Sequence, residues 1–332
     1  LSRIHLIGAL GLALVACNGR DAVPSASAPQ SAAAPQSATA PRSAAAPQSA
    51  AAPRSGAPTR VALESAGAEP RAVARLSLQV GQSQTIDLVS RIELESRTNG
   101  QVAPESKVPS TLLVLEAQVA ATLPDGAFTV TTVVRDARAQ PEADVKPEST
   151  AALDDALKAL VGQTRARRID AQGASTESAL DGTPRPAAQV SQLVSNLESA
   201  VDHFSVPFPT EAIGLGAVWT VTEDLTVSGV SVVQSARYEV VSREGARITL
   251  KLATEIRAGE QPMAVPGLPG GQVKLKSMSS TGQGQVEVDL SRVFPVRSTL
   301  RAETRLVSLI AIGDQANETE VRTVTDVNAT AR

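Results

Sequence analysis

Few side chains in this sequence have the chemistry for catalysis. Its 332 residues include two histidines, one cysteine and one tryptophan. His5 falls in an apolar leader, which leaves His203, between Asp202 and Phe204, for acid–base work. A Ser-His-Asp arrangement needs that imidazole within reach of a serine. The helical spacing around His203 puts it at the edge of a packing face instead. Adjacent carboxylates occur as Asp154-Asp155 and Glu223-Asp224. Such pairs divide acid and base roles or hold calcium only where further oxygen ligands converge on them. The first pair falls in the opening turns of a helix, where negative charge complements the helix dipole. The second reads as a turn. The sequence has no phosphate-binding loop, His-Glu-x-x-His helix or Gly-x-Ser-x-Gly elbow. With one cysteine, no disulfide, Cys₄ zinc site or iron–sulfur cluster forms within the chain. No catalytic residue, metal site or cofactor is therefore expected.

The segment Ile213-Gly214-Leu215-Gly216-Ala217-Val218-Trp219, approached through Pro207-Phe208-Pro209, is the most distinctive outside the leader. It is not a dinucleotide fingerprint, because the third glycine is missing and a strand, not a helix, follows. Its structural reading is a tight turn after which Trp219 closes one end of a sheet. Its functional reading places Trp219 at the mouth of an apolar pocket, with Met263, Val265 and Leu268 of a Pro/Gly-rich loop as a lid.

Other chemistry is covalent and lies at the N-terminus. Arg3 precedes an apolar run from Leu6 to Ala16, the pattern of an export signal. The run is well short of the ~20 residues that span a bilayer. Its end, Leu14-Val15-Ala16-Cys17, resembles the lipobox of bacterial lipoproteins. That resemblance implies a diacylglycerol thioether on Cys17, cleavage after Ala16 and acylation of the new amino group. Several acyl chains on one residue anchor durably, each buried CH₂ contributing about 0.8 kcal/mol. Asn18 in place of aspartate after the cysteine favours the outer membrane.

Prolines at 29, 35, 41, 47 and 53 mark a hexapeptide P-[QR]-S-A-[AT]-A. Proline at this spacing breaks helices, and no large apolar side chain is available to build a core. Residues 17–70 thus read as a lipidated cysteine and tether. At ~3.1 Å per residue its upper reach is on the order of 160 Å. Lys plus Arg number 31 against 34 Asp plus Glu, a net charge of -3. That balance gives no electrostatic basis for nucleic-acid binding.

Residues 71–312 read as a β-rich folded domain, with two β halves joined by helices between 150 and 204. Alternation predicts strands at 73–80, 86–94, 111–121 and 127–137, with Asp125-Gly126 turning the clearest hairpin. A helix capped by Thr150 carries Leu153, Leu157 and Leu160 and stops before Gly162. A second, at 187–204, has Val190, Leu193, Val194, Leu197 and Val201 on one stripe. Strand-like segments then continue to residue 310. Residues 313–332 read as a polar tail or edge strand. Aromatics are 2% of the chain, so small aliphatic side chains fill the core. The expected fold is mainly β with two helices (α+β): a curved antiparallel meander or half-barrel, with both helices packed on one face.

The Pro207/Pro209 and Gly214-x-Gly216-x-x-Trp219 pattern, with Gly282-x-Gly284-x-Val286-x-Val288-Asp289 later, resembles DUF6263-like exported lipoproteins of bacteria. The resemblance spans about residues 71 to 312 and implies the β-rich architecture without catalytic residues. Taken together these features predict an outer-membrane lipoprotein, a non-enzymatic structural or interaction module held to the membrane by its lipid anchor and engaging an envelope protein. The alternative is a carrier for a lipid or other apolar ligand in a concave sheet. An enzyme is the weakest expectation.

Overall fold

The computed structural model describes residues 59–103, 107–177, 205–227, 230–263, 272–312 and 315–332. In chain order, β1 is Arg60–Ser65, β2 Ser83–Thr98, β3 Gln101–Val102, β4 Ser110–Thr122 and β5 Phe128–Gln140. The helix α1, Pro147–Lys158, precedes β6 at Thr164–Ile169 and β7 at Ser175–Glu177. Next come β8 Val218–Val227, β9 Val230–Glu244, β10 Arg247–Ala258 and β11 Gln261–Met263. β12 Gln272–Asp289, β13 Arg297–Ile312 and β14 Gln315–Ala331 complete the chain.

The fourteen strands among the described residues belong to one antiparallel sheet, whose path is β1-β8-β9-β10-β12-β13-β14-β2-β4-β5-β6-β7. β3 adds to β2, and β11 to β12. The sheet is open, with β1 and β7 at its two ends. The mainly β, antiparallel expectation holds at this level. One helix, not two, is present among the described residues, and the expected helix at 187–204 lies outside them.

Strict alternation decides which face is buried. In β9, Val230, Val232, Ala236, Tyr238 and Val240 are buried while Ser231, Val233 and Arg237 are exposed. β10 repeats the pattern with Ile248, Leu250, Leu252 and Ile256. Apolar side chains on this inner face gather into three clusters. One joins β2, β4 and β5 to Leu157 and Leu160, which α1 and its C-terminal turn supply. A second surrounds Trp219, and a third lies at the far ends of β8, β9, β10 and β12.

Local differences from the sequence reading have physical causes. α1 starts at Pro147 with Lys146 as its N-cap and no side-chain cap, so Thr150 lies inside it. Proline's fixed φ suits the first helical turn, where its missing N–H costs nothing. Residues 73–80 alternate and bury Ala74 and Leu78, yet form no strand. Their backbone bonds go to separate places: Ala72 bridges Ile213, Leu76 donates to Ala171 at 2.8 Å, and Ser77 donates to Leu290 at 2.7 Å. A ladder needs one continuous partner, which alternation cannot supply. β1 occupies residues assigned above to the tether. β14 is no tail or edge: it pairs with β13 on one side and β2 on the other. Its polar outer residues find partners there, as in Arg301–Asp326 at 2.6 Å and Arg305–Glu320 at 2.7 Å.

Candidate functional site

The Gly-x-Gly turn uses its two glycines for different reasons. A Cβ on Gly214 would sit 1.9 Å from the carbonyl oxygen of Ala68. Gly216 has open space around it but a φ of +73°, a conformation that L side chains rarely adopt. The turn brings the chain back across residues 66–72 and delivers Trp219 to β8. There the indole is 0% exposed, donates from Nε1 to the Pro207 carbonyl at 2.9 Å, and stacks on Tyr238 at 5.3 Å. Phe208 closes another side at 5.7 Å. Trp219 therefore closes one end of the core, and the pocket-mouth reading is corrected: an enclosed ring lines no opening. Met263 belongs to a different cluster, with Leu225, Val230 and Val273. Val265, Leu268, Ala16, Cys17, His5 and His203 lie outside the described residues.

The paired carboxylates do not act as pairs. Asp154 and Asp155 both bind Lys158 on α1, at 3.3 and 2.9 Å. Glu223 and Asp224 are inside β8, not in a turn, and so point to opposite faces. Asp224 meets Arg60 at 3.2 Å outside, whereas Glu223 is buried and accepts from Thr59 Oγ1 at 2.6 Å. Among the described residues no three of His, Cys, Asp and Glu gather as a metal site would require.

Glu223 begins a polar row across the inner face. Cross-strand register runs from Glu223 to Gln234, then Ile256, Ser280, Thr304 and Thr323. Thr254, two residues before Ile256, pairs with Gly282. The six polar residues of this belt are each 1 to 6% exposed. Thr304 Oγ1 donates to Ser280 Oγ at 2.8 Å. Among the described residues neither polar atom of the Gln234 amide has a hydrogen-bond partner, nor does Thr254 Oγ1. Thr254 is packed so tightly that a Cβ on Gly282 would come within 2.4 Å of its hydroxyl. Burial first, then the charge of Glu223, raises the Tyr238 phenol far above its ordinary 10.0. At the opposite end of the sheet path Arg167 is also buried, its guanidinium 5.8 Å from the Phe294 ring centroid. The belt holds carboxylate, amide and hydroxyl groups. It contains no nucleophile activated by a base.

Sequence reasoning passed over the belt, although its signal was present. Several belt residues are polar interruptions in the apolar phase of a strand: Glu223 between Val221 and Leu225, Gln234 between Val232 and Ala236, Thr304 between Ala302 and Leu306.

A cleft of about 670 Å³ opens on the sheet where β4 parts from β2. β4 follows β2 only from Ser83↔Gln118 to Ser90↔Thr111, and β3 covers Arg97 and Thr98 alone. Ile92, Glu93 and Leu94 line the gap, with Val102 and Lys107 across from them. Glu142 fastens its floor, accepting from the Ser110 N–H at 3.3 Å and pairing with Arg91 at 3.4 Å. The hydrogen bond with Ser110 foremost, with Arg91 adding to it, holds the Glu142 carboxyl below its ordinary value. Lys107 meets Asp144 at 3.0 Å.

No protein-family model matches the chain, and no curated protein matches it.

Proposed function

We propose that the chain is an outer-membrane lipoprotein, cleaved after Ala16 and acylated on Cys17, whose tether carries a non-enzymatic module that engages another envelope component. One observation carries the choice of an interaction module over an apolar carrier: the buried belt from Glu223 to Thr323. An acyl chain needs a continuous apolar wall, and burying polar groups against it without hydrogen bonds costs free energy. The belt interrupts that wall, and Trp219 seals its near end. Contacts with partners then fall to the exposed face and the sheet edges.

The carrier reading, a half-barrel holding a lipid or other apolar ligand, draws its support from Gln234 and Thr254, whose buried polar atoms lack partners among the described residues. A ligand with a polar group would satisfy them, as would ordered water. Two measurements test the proposal. Cys17→Ser is expected to move the protein from the membrane to the soluble fraction, and retention after a high-salt wash would refute the anchor. Native mass spectrometry of the full chain, isolated in mild detergent that is then removed, is expected to show no adduct beyond the anchor's own acyl groups. A reproducible additional lipid mass would move the assignment to the carrier.

A further inference from the structure

We propose that the cleft beside β2 receives an extended segment of a partner protein, which pairs with the open edge of β2 and carries a basic residue between two apolar ones. The proposal deepens the interaction-module reading by naming the partner's chemistry.

Direction of the backbone is the first support. Ser96 accepts on its carbonyl from the Ala103 N–H at 2.8 Å, which turns the main-chain groups of Ser96 toward the β3 side of β2. Gln82, just before β2, accepts from the Val119 N–H at 2.9 Å on that same side. Main-chain groups alternate along a strand, so those of Ile92 and Leu94 face the same way. β4 has left by then and β3 has not begun. Among the described residues nothing bonds to Ile92 or Leu94 from that side. Two donors and two acceptors at strand spacing match an extended peptide, the mode by which chains add to a sheet edge.

Charge selects the peptide. Arg91 is held by Glu142, Lys107 by Asp144, Arg301 by Asp326 and Arg322 by Glu303, while Glu95 is paired with Arg97. Glu93 lines the cleft between Ile92 and Leu94, is exposed, and has no ion-pair partner among the described residues. A strand laid against β2 places one side chain opposite Glu93 on the outer face and its two neighbours opposite Ile92 and Leu94 on the inner face. Opposite charges favour Lys or Arg at the first position, and the half-buried Ile92 and Leu94 favour Val or Ile at the others.

The test titrates the full chain with a fluorescein-labelled, end-blocked peptide Thr-Val-Lys-Val-Thr and follows anisotropy. Saturable binding is expected. Methylating the amide nitrogens of both valines should weaken it about tenfold, because those N–H groups face β2. Replacing the peptide's lysine by glutamate should weaken it about two- to fivefold. Glu93→Lys should reverse the preference between the two peptides, and Glu93→Gln, which changes charge but hardly size, should abolish it. Absence of saturable binding, or binding indifferent to both methylation and Glu93, overturns the proposal. So does self-association lost in Glu93→Lys, which would make the occupant a second copy. Slow hydrogen exchange at the Ile92 and Leu94 amides of the free protein also overturns it, since the edge would already be covered. The membrane anchor is read separately by fractionation of Cys17→Ser, so either idea can fail alone.

Discussion

Trp219 shows how one side chain can resemble a site and be a keystone. The indole loses all its exposed surface, its N–H is used on Pro207, and Phe208 and Tyr238 flank it. Trp219→Ala is expected to lower unfolding free energy by about 3–5 kcal/mol, as large-to-small aromatic losses in cores do. Trp219→Phe keeps most of the ring contact but leaves the buried Pro207 carbonyl without its donor, a loss of about 1–3 kcal/mol. Urea unfolding followed by circular dichroism ranks the two. Equal stability of wild type and both variants would place the ring in solvent. Gln234 is the opposite case. Its position carried a signal, polar in an apolar phase, but no single residue type discloses that five others in neighbouring strands do the same.

Elements differ in how far their own residues explain them. The β4–β5 hairpin is local: Gly126, at φ +80°, donates to Leu123 at 2.9 Å, and the Asp125 carboxylate accepts from the Ala127 N–H at 3.2 Å. β12 is not. Its middle, Met278 to Gly282, lacks the apolar alternation of a strand and falls between the strand-like segments Val273–Ser277 and Gln283–Leu290, yet pairs without interruption to β10. Gly282 and Gly284 fit because Thr254, Leu300 and the Thr299 carbonyl press against them. The Gly214-x-Gly216 turn gives a sharper test. Gly214→Ala sets a methyl against a backbone carbonyl that no rotamer change relieves, with an expected loss of about 3 kcal/mol or more. Gly216→Ala meets nothing and carries only the left-handed backbone cost of about 1–2 kcal/mol. Thermal unfolding of both variants decides it, and a larger loss at Gly216 would contradict the packing described.

For the whole molecule, the outer face is held in register by many exposed ion pairs, each weak. Hydrogen bonds from Arg322 to Glu303, from Arg135 to Glu116 and from Lys274 to Glu260 lower these carboxyls below their ordinary 4.5. Their stabilisation is complete above that value and fades as pH falls through the lowered folded-state values. The melting temperature should therefore stay level from about pH 8 to pH 5 and decline below about 4.5, less steeply at high salt. A melting temperature that rises on acidification would refute this balance. By itself the sequence determined the dominance of antiparallel strands and the scarcity of catalytic side chains, and its leader, Cys17 motif and proline-spaced repeat are what the proposed anchor and tether rest on. These follow from composition, short motifs and local periodicity. Tertiary structure alone decided that β14 lies inside the sheet, that Trp219 is enclosed, that six polar residues align across it and that β4 parts from β2 after Ser90. Each depends on which strands become neighbours and in what register, and alternation along one strand specifies its faces but not its partners.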